Sequence, residues 1–530
     1  MGPRLYYSSI ILLSCSCAGC FIAPTRPAFH PTLPPIPTTQ SSRRHHLHVR
    51  NPSNNKPHNL ADAAKRIPKN DVFQIAPLSG VGLTSILPQQ QKSVTTSFSE
   101  QTLQSDDYGS AEATMTTFVG TKRGELMQVS IHPSDPIEAS VIPIKYFNEE
   151  IDLKPYPIFS MASLPYHHRH SESTVRSDCK QLILTGGADR FISVWEEESP
   201  CTKDESATSS RWKIKERLGP HTGWVKDIAS IQLQHHNDEN DSGRHVFLFS
   251  IGCNCIEVWK PRDEKENHDS GDDRAGSYYR HYHKLQVDSS VEMGCTLSSD
   301  LLCLAIHRYC CSENDSVDSM IGDASTSNMM EPLSQCELMA GGVDGRIHRW
   351  RIRGTSFVDS EATSAHEGRV NGIVICHKLK ALVSIGNDGL LVCWKINNNE
   401  SISDWQFAKL CLNNQGSIEN GSDSAITSEA RRIKLQSMCI VSDGTNESIV
   451  AIGSTCGRVM LVRISKAVNG DGELIPELMK DSTKTLVDAG VIHALQFYKA
   501  DDAGRGILLV GGSGFFVWTF DLNALKKIAR

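Results

Sequence analysis

The chain has 530 residues, a formal net charge of −7 and 39% hydrophobic residues against 22% charged ones. That length and apolar content support a large buried core and exclude a wholly disordered chain. A negative balance disfavours nonspecific nucleic-acid binding, which leans on phosphate neutralisation.

In chain order, the first element is an address. Residues 5–22, LYYSSIILLSCSCAGCFI, form an apolar run beside Arg4, and its centre from Tyr6 to Leu13 is too short to span a membrane. It reads as a signal-peptide core (1–20), with Ala18 and Cys20 in a cleavage context before Phe21. Residues 21–70 read as a transit-like or disordered leader containing Pro, Ser and His; up to Lys69 the chain holds nine Lys/Arg and the single acid Asp62. From residue 70 on, 45 Lys/Arg face 60 Asp/Glu. A signal core followed by an acid-poor basic stretch resembles the bipartite presequences of algae with complex plastids, in which phenylalanine follows the cleavage site, as in Phe21-Ile22-Ala23-Pro24. The resemblance implies a plastid destination. Secretion or another endomembrane location, a cytoplasmic location, a lipobox-like reading of Leu12-Leu13-Ser14-Cys15 and a misplaced start codon are the alternatives.

Residues 71–530 repeat one phrase: a β-rich run, a small-residue turn and an alternating strand ending in tryptophan. It reads LILTGGADRFISVW at 182–195, FLFSIGCNCIEVW at 247–259, LMAGGVDGRIHRW at 338–350 and LVSIGNDGLLVCW at 382–394. Degenerate copies lie at 117–129, 450–462 and 508–518. In the copy at 382–394, Leu382–Ile385 and Leu390–Trp394 suit strands, and Gly386-Asn387-Asp388-Gly389 suits a tight turn. Val370–Ile375 supplies a third strand, and Trp405, Phe407 and Leu410 a fourth. Four antiparallel strands make a propeller blade. The expected fold is all-β: a seven-bladed β-propeller of four-stranded antiparallel blades. Polar insertions are expected at 198–210, 234–244, 261–277, 311–334 and 412–430. The first blade draws on Val81–Leu87, Thr116–Gly120 and Glu125–Ile131. The last blade lacks an outer partner, so residues 71–76, DVFQIA, are expected to close the ring.

These copies resemble WD40 repeats, although Glu196, Lys260, Arg351, Lys395 and Thr519 stand where aspartate often follows the tryptophan. The resemblance implies a structural network of histidine, serine or threonine, turn aspartate and tryptophan within each blade. His366, Ser384, Asp388 and Trp394 supply a full set. His221, Ser250, Asn254 and Trp259 supply another with Asn for Asp, and Thr185, Asp189 and Trp195 a partial one. It also implies a non-catalytic scaffold that binds proteins or peptides through its loop faces.

The strand positions of Cys303, Cys376, Cys393 and Cys439 suit reduced core thiols, which favours import over secretion. Cys253-Asn-Cys255 and Cys310-Cys311 lack a second pair at zinc spacing, and His167, His168 and His170 read as a solvated loop. No Walker A, dinucleotide, HExxH or GxSxG motif occurs, so no cofactor, metal or catalytic residue is assigned. Rim candidates are His221–Trp224 and His366–Arg369, with Trp224 and Arg369 as partner contacts. Arg349 stands where other copies have Val194, Val258 and Cys393, so it either pairs with an acid between sheets or contacts a partner. A competing function is a propeller associated with RNA or a ribonucleoprotein in organellar gene expression; a third is an enzyme built on the propeller. Oligomeric state is not legible.

Overall fold

The computed structural model describes residues 72–75, 78, 80–88, 115–131, 140–144, 156–166, 180–198, 211–234, 244–262, 278–287, 300–308, 336–353, 356–397, 400–412, 433–467, 472–479, 482–499 and 504–528. The chain divides into Met1–Asp62 and Ala63–Arg530, and all described residues belong to the second unit. The leader, the histidines at 167–170, Cys310-Cys311 and, but for their edges, the expected insertions lie outside the described residues.

Seven antiparallel sheets follow one another along the chain. Their inner strands are Leu83–Pro88, Ile158–Tyr166, Val225–Gln234, Leu301–Arg308, Val370–Cys376, Leu435–Asp443 and Ala494–Lys499. Each lies against the next, and the seventh lies against the first, so the ring is closed. Blades 1 to 6 take their four strands consecutively. Blade 7 takes its outer strand from Val72–Gln74, which pairs Val72 with Trp518, Phe73 with Val517 and Gln74 with Phe516. Blade 6 carries an extra short strand, Lys484–Thr485, on Arg458–Lys466.

The repeated phrase folds this way because its alternation suits a sheet buried on both faces. Trp195 packs back on Phe118 and Leu126 of blade 1. Its neighbours Ile192 and Val194 pack forward with Val225 and Ile228 of blade 3. The same two-sided burial recurs between every adjacent pair of blades. The turns need positive φ, and Gly124, Gly345, Gly389 and Gly457 provide it at φ of 81°, 79°, 75° and 76°. In blade 2 Arg190 holds the matching turn at φ 68°.

At the start of the inner strands, hydrogen bonds cross all seven blade boundaries. Thr84 donates to the Ile158 carbonyl, and Ser160 donates to Asp227 Oδ1 at 3.0 Å. Leu304 N–H donates to Asp227 Oδ2 at 2.9 Å, and the Cys303 thiol faces the Val370 carbonyl at 3.7 Å. Asn371 donates to the Leu435 carbonyl at 2.7 Å and Ser437 to Ile492 at 2.9 Å, while Leu83 N–H reaches Gly512 at 2.7 Å. Six of the seven inner strands are bulged there, at Leu83/Ser85, Ile158/Ser160, Val225/Asp227, Leu301/Cys303, Val370/Gly372 and Leu435/Ser437. A bulge re-aims one side chain, which is how these short residues reach the next blade.

Candidate interaction surface

The loops before the inner strands and the turns between second and third strands meet at the end where these hydrogen bonds lie. In blade 5 they bring His366, Ser384, Asp388 and Trp394 together. His366 Nδ1 donates to Asp388 at 3.0 Å, Nε2 meets Ser384 Oγ at 3.0 Å, and Trp394 Nε1 reaches that hydroxyl at 3.5 Å, near the limit of a hydrogen bond. Asp388 also accepts the N–H groups of Glu367 and Leu390. Burial alone would raise the Asp388 pKa, but His366 and these donors hold it below the ordinary carboxylate value. With every member bonded inside the blade, the set fixes loop to turn and presents nothing to a substrate.

Blade 3 differs from the expectation. Ser250 accepts the Trp259 indole at 3.0 Å and meets His221 Nε2 at 2.7 Å, yet Asn254 is not a partner of His221. Here the hairpin closes at the Gly252–Cys255 pair, with Cys253 at φ 55°. It is one residue shorter than in blade 5, so Asn254 does not occupy the aspartate's place. His221 Nδ1 donates instead to the Arg190 carbonyl of blade 2 at 3.2 Å. In blade 2, Trp195 donates to Thr185 at 2.9 Å, and Asp189 pairs with Arg217, whose guanidinium lies 4.2 Å from the Phe191 ring centroid. An outer-strand arginine thus stands in for the missing histidine.

Burial pushes the His221 pKa down from 6.5 to about 4, only partly opposed by the Arg190 carbonyl. A depressed histidine contributes stability that is present above its unfolded value and lost as pH falls toward its folded value. Between pH 7.5 and 5 the chain is expected to lose about 2 kcal/mol through this group. Asp227 runs oppositely: burial lifts its pKa to about 6, so its contribution is lost as pH rises through that value. Urea unfolding of the parent and His221→Gln at both pH values isolates the histidine. An equal pH-dependent loss in both proteins contradicts the assignment.

Arg349 is not a partner contact. It is 0% exposed and faces blade 5, because its slot alternates toward the next sheet. Its guanidinium pairs with Glu337, which is also 0% exposed, and lies 3.5 Å from Glu361. It donates to the Glu400 carbonyl at 2.8 Å and sits 4.9 Å from the Trp405 ring centroid. Arg351 adds a bond to the same carbonyl at 2.7 Å. Trp405, expected on the fourth strand, is instead buried in this junction, and the strand begins at Phe407.

Trp224 has the opposite environment. It is 53% exposed, and Tyr156, in the loop entering blade 2, is 48% exposed. The Trp224 ring lies 5.7 Å from that of Phe159 on the inner strand of blade 2, at 33°. Lys226 Nζ sits 4.2 Å from the Phe159 centroid and 4.5 Å from that of Trp224. Arg369 is exposed at the entrance to blade 5; burial, with the Arg369 charge second, holds the Lys226 ammonium below its ordinary pKa. Phe159 and Lys226 escaped the sequence reading. Their signal, an aromatic and a cation just inside the bulges of adjacent inner strands, requires the blade alignment to be seen.

Among the described residues no group of three His, Cys, Asp or Glu could hold a metal, and no helix is long and apolar enough to cross a membrane. The described cysteines are free thiols, and burial pushes Cys376 and Cys439 up to about 12. A closed ring of seven four-stranded blades, bound internally through histidine, hydroxyl and tryptophan, defines a WD40-like β-propeller. No family model matches the sequence, and no curated protein matches it. Among solved structures, the chain is similar to the crystal structure of the RRP9 WD40 repeats at 15% identity, with a TM-score of 0.45, covering 85% of this chain and 97% of that one. It is similar to the structure of U3-55K at 15% identity and a TM-score of 0.45, covering 85% of this chain and 98% of that one. The class assignment rests on the strand pairing and the bonds within the blades.

Proposed function

We propose that the chain is a non-catalytic scaffold that binds a protein or peptide at the loop face of blades 2, 3 and 5. The observation that carries this reading is the exposed Trp224, backed by Phe159 and Lys226 on a rim held by hydrogen bonds across the blade boundaries. A large aromatic on a rigid platform loses little entropy on binding and anchors interfaces well. The leader, by its composition, directs the chain to a plastid; a fusion of residues 1–70 to a fluorescent protein that stays cytosolic would remove that part.

Trp224→Ala is expected to leave stability within about 0.5 kcal/mol, since the side chain is surface-borne. It should also deplete specific partners in quantitative affinity purification from cells. Recovery of the same proteins by parent and variant contradicts the assignment.

A further inference from the structure

An ammonium laid on two aromatic rings occupies the place where a cation from outside would bind. At blades 2 and 3 the chain fills that place with its own Lys226, between Phe159 and the half-exposed Trp224. What this site offers outward is therefore positive charge beside an indole face. Arg369 is exposed at the entrance to blade 5, and Asp300 is partly exposed at the entrance to blade 4. Around them, the exposed charged residues on the described loops and turns of this end are Lys122, Arg123, Arg190, Arg369 and Lys434 against Glu367 and Asp488. This excess is built on a body with more acids than bases.

We infer that this mouth receives a short acidic segment of a partner protein, an Asp or Glu carboxylate meeting Lys226 with a neighbouring apolar side chain on Trp224. The inference rests on the scaffold reading above and gives that surface its ligand chemistry. A nucleic-acid strand fits less well. Successive phosphates need a continuous cationic track with stacking platforms, whereas Asp189, Asp300 and Asp344 stand among the cations of blades 2 and 4. The acidic body also opposes a long polyanion. One carboxylate next to one apolar group matches what is present.

The test selects phage-displayed random peptides on the purified full chain. It then titrates selected peptides by fluorescence anisotropy against the parent, Lys226→Gln, Arg369→Gln and Trp224→Ala, each first checked for unchanged thermal unfolding. The expected peptides are enriched in Asp and Glu beside an apolar residue. Lys226→Gln should weaken them roughly tenfold or more, and Arg369→Gln by a smaller factor. Amidating the peptide carboxylates (Glu to Gln in the peptide) should abolish that sensitivity. Peptides without acidic enrichment that bind the parent and Lys226→Gln equally, yet lose affinity for Trp224→Ala, overturn the acidic ligand and leave the scaffold reading standing. Peptides indifferent to Trp224→Ala as well overturn both. Displacement of the selected peptides by oligouridylate at lower concentration than by free peptide assigns the cations to phosphate and overturns the inference.

Discussion

Arg349→Leu is expected to destabilise the fold by about 3–5 kcal/mol, because it leaves the Glu337 carboxylate buried without its main counter-charge. Glu337 is 0% exposed and its remaining cation, Arg351, approaches no closer than 3.4 Å. The variant also strips a hydrogen bond from the Glu400 carbonyl and a cation from the Trp405 ring, both of which tie blade 5 to blade 4. Burying a charge alone costs more than the pair contributes, so the partner substitution should reverse most of the loss. Arg349→Leu combined with Glu337→Leu is expected to recover to within about 1–2 kcal/mol of the parent, as a hydrophobic replacement of a buried pair does elsewhere. Urea unfolding of the single and double variants makes the comparison. A single variant as stable as the parent would contradict the buried junction and restore the possibility of a solvent-facing arginine.

The second large effect lies at the ring closure. The strand Val72–Gln74 has only three residues, but the chain after it buries Ile75 and Leu78, each 1% exposed, against Leu83, Phe515 and Val517. Ile75→Ala and Leu78→Ala are each expected to cost about 2–5 kcal/mol from lost burial and the cavity left behind. Together they should release the closing strand, exposing the edge of Phe515–Asp521 to pairing with other chains. Size-exclusion chromatography and limited proteolysis would show self-association and early cleavage in blade 7. A double variant that remains monodisperse and unfolds at the parental temperature would mean that closure does not depend on this segment.

Much of the architecture was legible because local chemistry and tertiary packing agree along the repeated phrase. The alternation around Trp195, Trp259 and Trp394 marks strands buried on both faces, and the Gly-rich turns mark hairpins. The absent outer partner of the last blade pointed to residues 71–76, where Val72–Gln74 now pairs with Phe516–Trp518. The reading stopped where geometry depends on a single residue or on the neighbouring blade. Asn254 looked equivalent to Asp388, but a hairpin shorter by one residue moves it out of reach of His221. Arg349 was placed between sheets by alternation, yet its carbonyl partner Glu400 and its aromatic neighbour Trp405 lie on the next blade, where composition gives no warning. The bridging of three blades by Asp227 likewise depends on bulges that no local pattern announces.

Under the proposed function, one sector of one rim, rather than the outer edge of the ring, carries the partner contact. The ring has exposed apolar side chains elsewhere: Phe407 is 55% exposed on the outer strand of blade 5, and Ile475 is 48% exposed on that of blade 6. Hydrogen exchange of the chain, alone and saturated with a captured partner, separates these surfaces directly. New protection is expected at Tyr156–Phe159, Thr222–Lys226 and the loop around Arg369, with no change at Phe407–Cys411 or Leu474–Leu478. Protection confined to those two outer strands, with Thr222–Lys226 exchanging as before, would contradict that expectation.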